Sequence, residues 1–335
     1  MFIKIYENTK QFIKENYKFL ISIIVIFLLF NIELPFSIYT PGGSVDLNKR
    51  IEIENEEEVK GSFNMAYVSM VKGSVPFLLL SKVIPDWDIV KKGDITIEDE
   101  SMDELLERER LYLEESIGNA TINAYKKANK EIKIKSLNNN ISYITDEAKT
   151  NLRIGDNILS VNDIKINSLN ELKNIIETLD ENTKVNLKII RDNKEKDAYA
   201  TTYKTEDGMK IGVMLITTYD YETNPDIEVK TKSSEAGSSG GLMLSLTIYN
   251  KLVKEDITKG KKIVGTGTID INGNVGEIGG VKYKLMGAVK NDADIFMCPE
   301  ENYEEAMKVA KEKDYKIKII SVKTFDEALN KLADM

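Results

Sequence analysis

The hydrophobic pattern begins with one long apolar segment. Residues 1–18 mix lysines with two glutamates, residues 19–32 carry no charge, and Glu33 is the one charge before Tyr39. A helix over 19–39 would be about 31 Å long, which matches the hydrocarbon core of a bilayer. The sequence therefore predicts an N-terminal transmembrane helix at 19–39. The alternative is a cleaved signal peptide, although no small-residue cleavage site follows closely.

The charges beside this segment predict its orientation. Lysines precede the apolar residues, and positive charge is enriched on the cytoplasmic side of a membrane span. We therefore expect residues 1–18 in the cytoplasm and the rest of the chain outside the cell, held at the membrane by a single pass.

Beyond residue 40 the pattern changes to short alternating and amphipathic segments. Residues 40–43 are predicted to form a loop, 63–71 a strand and 101–130 a helix. The function of this connecting region, 40–130, is not readable by itself. From 207 onward strands alternate with helices, at Ile211–Thr217, Asp226–Lys230, 241–253, Ile263–Ile269, Val281–Lys290, Asp294–Cys298, Glu301–Lys311, Ile317–Val322 and Phe325–Leu332. The whole pattern predicts an α+β protein of several domains.

Composition and charge exclude several classes of function. The length of 335 residues suits two or three domains, and the net charge of −9 argues against a nucleic-acid partner. A single cysteine, Cys298, excludes an internal disulfide and a cysteine-based zinc cluster. The chain has no histidine, so it cannot hold a Ser-His-Asp triad of its own, and no P-loop motif occurs in it. We expect neither a cofactor nor a metal ion.

Ser239 is the candidate nucleophile. It lies in the small-residue run Gly237-Ser238-Ser239-Gly240-Gly241, directly before an apolar helix predicted at about 241–253. Backbone N–H groups without a helical partner favour negative charge at the start of a helix. A serine at that place suits an attack whose tetrahedral oxyanion needs N–H donors. Ser238 beside it is the rival nucleophile.

Lys284 is the candidate base. In the absence of histidine, a lysine can accept the serine proton if its pKa falls from about 10.4 toward roughly 7–8. Lys284 shares one helical stripe with apolar residues, namely Val281, Leu285, Ala288 and Val289. Burial and the positive end of a helix both disfavour its charged form. The alternative is a lysine whose stem lies along the edge of a core while its ammonium group reaches water.

These motifs resemble the Lon-type peptidase domain, which uses a Ser-Lys dyad. The family's serine lies in Gly-Pro-Ser-Ala-Gly, and here Gly237–Gly241 takes that place, with Ser238 for the proline and Gly240 for the alanine. The family's later block is similar to residues 265–284. The resemblance implies Ser239 and Lys284 as catalytic residues and Thr266 as the supporting threonine that contacts the lysine. It covers about Asp207 to Leu332, and we assign the proteolytic domain to 207–335.

Residues 131–204 resemble a PDZ domain. Leu152–Asn162 matches the family's Leu-x-x-Gly-Asp-x-Ile-x-x-Val-Asn block nearly residue for residue. Such domains bind a peptide as an added strand, here expected between a strand and the helix 169–179. The family's carboxylate-gripping loop, often a Gly-apolar-Gly-apolar run, is not matched near Asn138–Tyr143, which leaves capture of a free C-terminus open. The alternative is a PDZ-like domain that only covers the catalytic site.

The order of these segments resembles the membrane-bound, PDZ-containing branch of Lon-like peptidases. That resemblance implies an ATP-independent serine endopeptidase that cleaves extended or exported peptides and proteins, with the PDZ-like domain recruiting the substrate. The expected partners are a peptide or protein substrate and the membrane, without nucleic acid or ATP; the oligomeric state stays open. The alternative is a non-catalytic PDZ-based binding module at the membrane surface, against which the intact Ser-Lys pair argues.

Overall fold

The structure is a computed structural model of the chain and describes residues 2–32, 34–97, 100–232 and 234–335. The helices are α1 (Phe2–Asn31), α2 (Val75–Leu80), α3 (Met102–Lys127), α4 (Leu169–Glu177), α5 (Gly241–Leu252), α6 (Val281–Lys290), α7 (Tyr303–Glu312) and α8 (Phe325–Ala333). The strands are β1 (Phe36–Asp46), β2 (Ile51–Ile53), β3 (Ser62–Lys72), β4 (Asp88–Lys91), β5 (Glu131–Ile144), β6 (Lys149–Thr150), β7 (Asn157–Val161), β8 (Ile164–Lys165), β9 (Lys184–Arg191), β10 (Lys194–Thr201), β11 (Tyr203–Thr205), β12 (Gly208–Lys210), β13 (Val213–Asn224), β14 (Ile227–Val229), β15 (Lys262–Gly265), β16 (Thr268–Ile269), β17 (Val275–Gly276), β18 (Ile295–Pro299) and β19 (Lys318–Val322).

The chain forms two compact units. The first comprises the chain up to Pro41 together with Val68–Ile97, and the second comprises Gly42–Tyr67 and the remainder of the chain. The first unit holds α1, α2 and the antiparallel pairing of β1 with β4. The ring of Phe77 packs between Phe30 and Trp87, with ring centroids 6.2 and 6.3 Å apart. Aromatic contacts thus connect α1 to the segment around α2.

The structure does not support the predicted transmembrane helix at 19–39. Within the described ranges, no helix has both the length and the apolar character needed to cross a membrane. Helix α1 ends at Asn31, and residues 36–39 lie instead in β1, where Phe36 is opposite Lys91 in β4. The reason is Pro35, which has no backbone N–H and disfavours a helical residue before it. The chain therefore becomes extended, and the N–H of Leu34 donates to the Gly73 carbonyl.

A parallel sheet organises the C-terminal half of the second unit. Its strands follow the order β19-β18-β15-β3, with Ile263 opposite both Phe63 and Ile295. Ile263 packs in one buried cluster with residues of α5 and α8, and its neighbour Val264 packs in another with residues of α6 and α7. Successive strand residues point to opposite faces. The two helix pairs therefore cover opposite faces of the sheet.

The region predicted as a connection, 40–130, supplies part of this same core. Phe63 from β3 and Tyr125 from α3 belong to the cluster that contains the α5 residues. Helix α3 packs against α5, where a Cβ added at Gly241 would lie 2.7 Å from Ser116 Oγ. Small side chains allow two helix backbones to approach closely. The loop predicted at 40–43 is also different in the structure, because these residues are part of β1.

The PDZ-like part is a second sheet, with strand order β13-β5-β7-β9-β10-β6 and helix α4 packed on it. Alternation in β9 places Val185, Leu187 and Ile189 in its core. This core extends past the predicted boundary at 204, because Ile211 belongs to it and Leu215 packs against it. Strand β13 then continues to Asn224 without a break in the strand, so the PDZ-like part and the proteolytic part share one element.

Candidate active site

The segment before α5 holds Ser239 half-buried at the start of the helix. Gly237 has a φ of +91°, which is a backbone region that favours glycine. Its N–H donates to the Glu109 carbonyl oxygen over 2.8 Å, and Ser116 Oγ donates to the Ser238 carbonyl oxygen over 3.0 Å. Both partners lie on α3. Helix α3 therefore fixes the backbone that leads into Ser239.

The backbone carbonyl of Ser239 is held from the other side. It accepts hydrogen bonds from the Gly267 N–H at 2.8 Å and from Thr266 Oγ1 at 3.0 Å. Helix α5 beyond it is buried nearly all round, as its apolar sequence predicts. The serine thus lies on a backbone fixed at both ends, with its side chain at the surface of the core.

Lys284 reaches this serine from α6. Its Nζ lies 2.9 Å from Ser239 Oγ and 3.1 Å from Thr266 Oγ1. The lysine is only 4% exposed, and burial lowers its pKa from 10.5 to about 8. The alternative of a lysine whose ammonium group reaches water does not describe this side chain. At mildly alkaline pH its amine is neutral in a substantial fraction of molecules and can accept a proton.

Thr266 is fully buried and bridges the two other residues. Its Oγ1 donates to the Ser239 carbonyl oxygen while it accepts a hydrogen bond from Lys284 Nζ. The backbone N–H of Thr266 donates to the carbonyl of Met297 in β18. The hydrogen bond to the Thr266 hydroxyl restricts the orientations that the Lys284 side chain can adopt. The structure thus brings together all three residues that the sequence suggested.

The two departures from the family motif have different structural consequences. A Cβ added at Gly240 would lie 2.1 Å from Met65 Sδ, so the methionine occupies the space in which an alanine methyl would lie. Ser238, the rival nucleophile, is half-buried one residue before Ser239. Among the described residues, Lys284 donates to Ser239 and Thr266 but not to Ser238. The geometry favours Ser239.

Charged residues anchor the approach to the serine. Arg50 pairs with Glu235 at 2.7 Å, on the segment that leads to Ser239. On α3, Arg108 binds both oxygens of the buried Glu100 and contacts Glu109 at 3.0 Å. Burial raises the pKa of Glu109 above its ordinary value. The sequence did not predict a role for these α3 residues. The one feature that could have indicated it is the buried face of α3, which carries small and polar side chains where an apolar stripe is usual.

A second candidate site is the groove between α4 and the start of β13. It has a volume of about 350 Å³, and residues from both walls line it, among them Leu172, Lys173, Ile176, Lys210, Ile211, Gly212, Val213 and Leu215. Strand β13 is the terminal strand of its sheet, with β5 on its other side. An open strand edge beside a helix is the geometry that accepts a peptide as an added strand.

The segment beside this groove is not the one at which the carboxylate-gripping loop was expected. Residues 139–143, near which the carboxylate-gripping loop was expected, are buried in β5 and pair with β13. The residues that border the groove are instead Met209, Lys210 and Ile211-Gly212-Val213, and Gly212 has a φ of +74°. A glycine flanked by apolar residues therefore exists here, after the PDZ-like helix in sequence and not before it.

Comparisons with known proteins identify both parts of the chain. Residues 221–334 match the Lon protease (S16) C-terminal proteolytic domain, and residues 117–202 match the PDZ domain. The Lon protease of Trichlorobacter lovleyi is 30% identical over 149 residues, which are 40% of this chain and 18% of that protein. The Lon protease of Campylobacter jejuni is 37% identical over 98 residues, which are 28% of this chain and 12% of that protein. The chain thus spans less than a fifth of the length of either relative.

Solved structures with a similar part include two from Listeria. The PDZ domain of an SdrC-like protein of Listeria monocytogenes has 18% sequence identity and a TM-score of 0.23, and covers 25% of this chain and 93% of that structure. The second domain of another Listeria protein has 19% identity and a TM-score of 0.22, and covers 25% of this chain and 88% of that structure.

The family matches confirm the predicted Lon-type and PDZ domains. Ser239, Thr266 and Lys284 all lie within the matched proteolytic part, and their catalytic roles stay predictions. Residues 221–334 are therefore a Lon-type proteolytic domain, the domain of a serine peptidase, and a PDZ domain precedes it in the chain.

Proposed function

We propose that this chain is a serine endopeptidase in which Ser239 is the nucleophile and Lys284 the general base. The observation that carries the proposal is the 2.9 Å contact between Lys284 Nζ and Ser239 Oγ, made by a lysine whose pKa burial lowers to about 8. Nucleophile and base within hydrogen-bond reach are the geometric requirement for this chemistry. Thr266, whose hydroxyl also contacts Nζ at 3.1 Å, orients the base.

The proposed reaction proceeds through an acyl-enzyme. Neutral Lys284 accepts the hydroxyl proton of Ser239 as Oγ attacks the scissile carbonyl carbon, and the carbonyl oxygen becomes an oxyanion. The ammonium group then returns the proton to the leaving amine, and the peptide C–N bond breaks. A water molecule, deprotonated by the same lysine, attacks the ester carbonyl carbon. The bond from that carbon to Ser239 Oγ breaks, the ammonium group returns its proton to Oγ, and the second product leaves as a carboxylic acid.

The oxyanion would be stabilised by backbone N–H groups beside Ser239. In the part of the chain that the structure describes, the N–H groups of Ser239 and Gly240 donate to no acceptor. They lie where α5 begins, at the positive end of its dipole. Donors that are already in place when charge develops are worth about 3–4 kcal/mol in comparable enzymes.

The substrates we propose are extended peptides, loops or disordered tails of proteins, some of them exported. No P-loop motif occurs in the 335 residues, so the chain contains no P-loop motor of its own to unfold a compact substrate, and we propose ATP-independent cleavage. The groove beside β13 would recruit part of the substrate as an added strand. Tethering raises the local substrate concentration to the mM range for a short linkage.

Covalent trapping tests this proposal. A fluorophosphonate incubated with the purified chain should form an adduct that mass spectrometry assigns to Ser239. Ser239→Ala should abolish the adduct and the cleavage of an unstructured peptide, whereas Ser238→Ala should keep both. An adduct on Ser238 would reverse the assignment of the nucleophile. A protein that binds extended peptides but is neither labelled nor able to cut them would favour the non-catalytic binding module.

A further inference from the structure

Helix α6, which carries Lys284, touches a strand backbone at a glycine one turn beyond the lysine. A Cβ added at Gly287 would lie 2.9 Å from the Gly43 nitrogen and 3.1 Å from the Gly42 carbonyl carbon. Residues three apart lie on the same face of a helix, so Gly287 and Lys284 face the same way. The absence of a side chain at 287 therefore decides how closely this face of α6 approaches β1.

The strand at this contact cannot retreat, because it is confined from its other side. A Cβ on Gly42 would lie 1.8 Å from the Tyr67 carbonyl oxygen, and one on Gly43 would lie 2.8 Å from the Tyr67 hydroxyl. The two glycines are thus enclosed between Tyr67 of β3 and Gly287 of α6. An added atom at Gly287 meets backbone atoms, which are far less able to yield than the end of a flexible side chain.

The start of α6 is fixed independently. Asn302 accepts a hydrogen bond from the Ile278 N–H and donates one to the Ile278 carbonyl, both over 2.9 Å. Gly280 then begins the helix with a φ of +70°. Because the N-terminal end is held, pressure at Gly287 would tilt the helix about that end and move the turn that holds Lys284.

We propose that Gly287, together with Gly42 and Gly43, forms a positioning contact that sets the distance between Lys284 Nζ and Ser239 Oγ. These glycines touch no substrate and act through the lysine. The proposal rests on the proposed function, since it assigns them a role only if Lys284 is the base. It also gives a role to Gly42 and Gly43, which lie in the segment predicted as a loop.

A tilt of α6 has two consequences for the lysine. An ordinary carbon contact lies at about 3.5–4 Å, so an alanine at 287, whose Cβ would lie 2.9 Å from the Gly43 nitrogen, requires a shift of roughly half an ångström or more. A misplacement of about 1 Å can cost 10²-fold in rate. The shift also admits water to Nζ. Its polar neighbours are the hydroxyls of Ser239 and Thr266, and burial is what lowers its pKa, so hydration should raise that pKa.

The experiment compares Gly287→Ala with wild type by the rate of fluorophosphonate labelling at Ser239 over pH 6–11. We expect labelling about 10- to 100-fold slower at pH 8, a midpoint moved to higher pH, and a lower kcat for a short peptide with little change in KM. Alanine favours the helical conformation more than glycine does, so a less stable α6 cannot explain a lower labelling rate. Gly93→Ala is the matched control, because a Cβ there meets no atom within 4 Å, and it should behave as wild type.

The outcomes separate the two proposals. If wild type itself is not labelled at Ser239, the proposed function fails. If wild type is labelled and folded Gly287→Ala matches it in rate and midpoint, the positioning contact is refuted. If Gly287→Ala does not fold, Gly43→Ala replaces it, since its added atom presses on the Tyr67 side chain and pushes the strand toward Gly287, by less than a backbone clash would. We then expect a smaller loss of labelling rate and a smaller rise of its pH midpoint. An unchanged pH profile of labelling refutes the positioning contact.

Discussion

At the scale of single residues, the site depends on a lysine that the fold removes from water. Lys284 is nearly fully buried, and its polar contacts are two hydroxyls, those of Ser239 and Thr266. Hydroxyl groups stabilise an ammonium ion less than water or a carboxylate does. Burial therefore lowers the pKa to about 8. The same side chain would be an ordinary protonated lysine at the surface of α6.

The lowered pKa predicts how activity depends on pH. The neutral amine is the active form, so kcat/KM should rise with pH and level off above about 8. Lys284→Arg should be inactive at every pH tested, because a guanidinium group keeps its proton. The measurement is a pH–rate profile on a short unstructured peptide. An active arginine variant would rule out the role of general base.

Burial of Lys284 also predicts a cost in stability. The folded-state pKa of about 8 lies below the ordinary 10.5, so the unfolded chain binds more protons between these values and stability should rise with pH across that window. Below pH 8 the cost is constant, on the order of 3 kcal/mol. Lys284→Met should therefore gain more stability over wild type at pH 7 than at pH 11. Urea unfolding of both proteins at the two pH values measures the difference, and equal gains would contradict the burial argument.

Among the elements, the proposed nucleophile directly precedes α5 and the proposed base lies on α6. Helix α3 fixes the loop that leads into the nucleophile. Ser116 and Glu109 hold the backbone at Ser238 and Gly237. Further along the helix, Asn119 donates to the Ile269 carbonyl oxygen at 3.1 Å. Helix α3 therefore supports the backing of the site, that is, the backbone behind Ser239, although it lies more than a hundred residues earlier in the chain.

Ser116→Ala tests this role. Loss of the hydrogen bond to the Ser238 carbonyl frees the peptide that precedes the nucleophile, so we expect kcat to fall about tenfold while KM changes little. Thr121→Ala is the control: its hydroxyl donates to the Ile117 carbonyl on the same helix and is away from the loop. Both variants should lose some thermal stability, but only Ser116→Ala should slow the labelling of Ser239. Equal labelling rates would mean that α3 supports the fold and not the site.

At the scale of the whole molecule, the PDZ domain and the proteolytic domain are joined by a strand and not by a flexible linker. The first residues of β13 border the peptide groove, and its later residues pack on α3, where Tyr221 Oη donates to Thr121 Oγ1. A recruited peptide would therefore be bound to the same rigid element that contacts the backing of the active site.

Recruitment by the groove predicts a difference between substrates. Lys173 lines the groove and its side chain is 61% exposed, so Lys173→Glu should weaken binding of a negatively charged chain end there. We expect KM for a long protein substrate to rise roughly three- to tenfold, which corresponds to about 1 kcal/mol. KM for a short peptide should not change.

The matched control is Lys165→Glu, at an exposed lysine of the same domain outside the groove. Equal effects of the two variants, or an equal effect on both substrates, would indicate that the domain covers the catalytic site without recruiting.

The location of the enzyme stays a prediction from its N-terminal sequence. Lysines precede the apolar run that begins at residue 19. If that run inserts into a membrane, this order places the chain beyond residue 40 outside the cell. Protease added to intact cells should then digest that part. Its protection in sealed cells, together with digestion after lysis, would place the substrates in the cytoplasm.

The features that can be read from the sequence are local: the small-residue run around Ser239, the apolar helix after it, the stripe that carries Lys284 and the Gly-Asp block of the PDZ domain. Such motifs depend on near neighbours along the chain. Tertiary contacts place α3 against the loop before Ser239 and β1 against Gly287 of α6, begin β1 where a span was predicted, and bring Gly212 into the groove lining. These features depend on contacts between residues far apart in sequence. The depth at which Lys284 is buried, on which its chemistry depends, belongs to this second group.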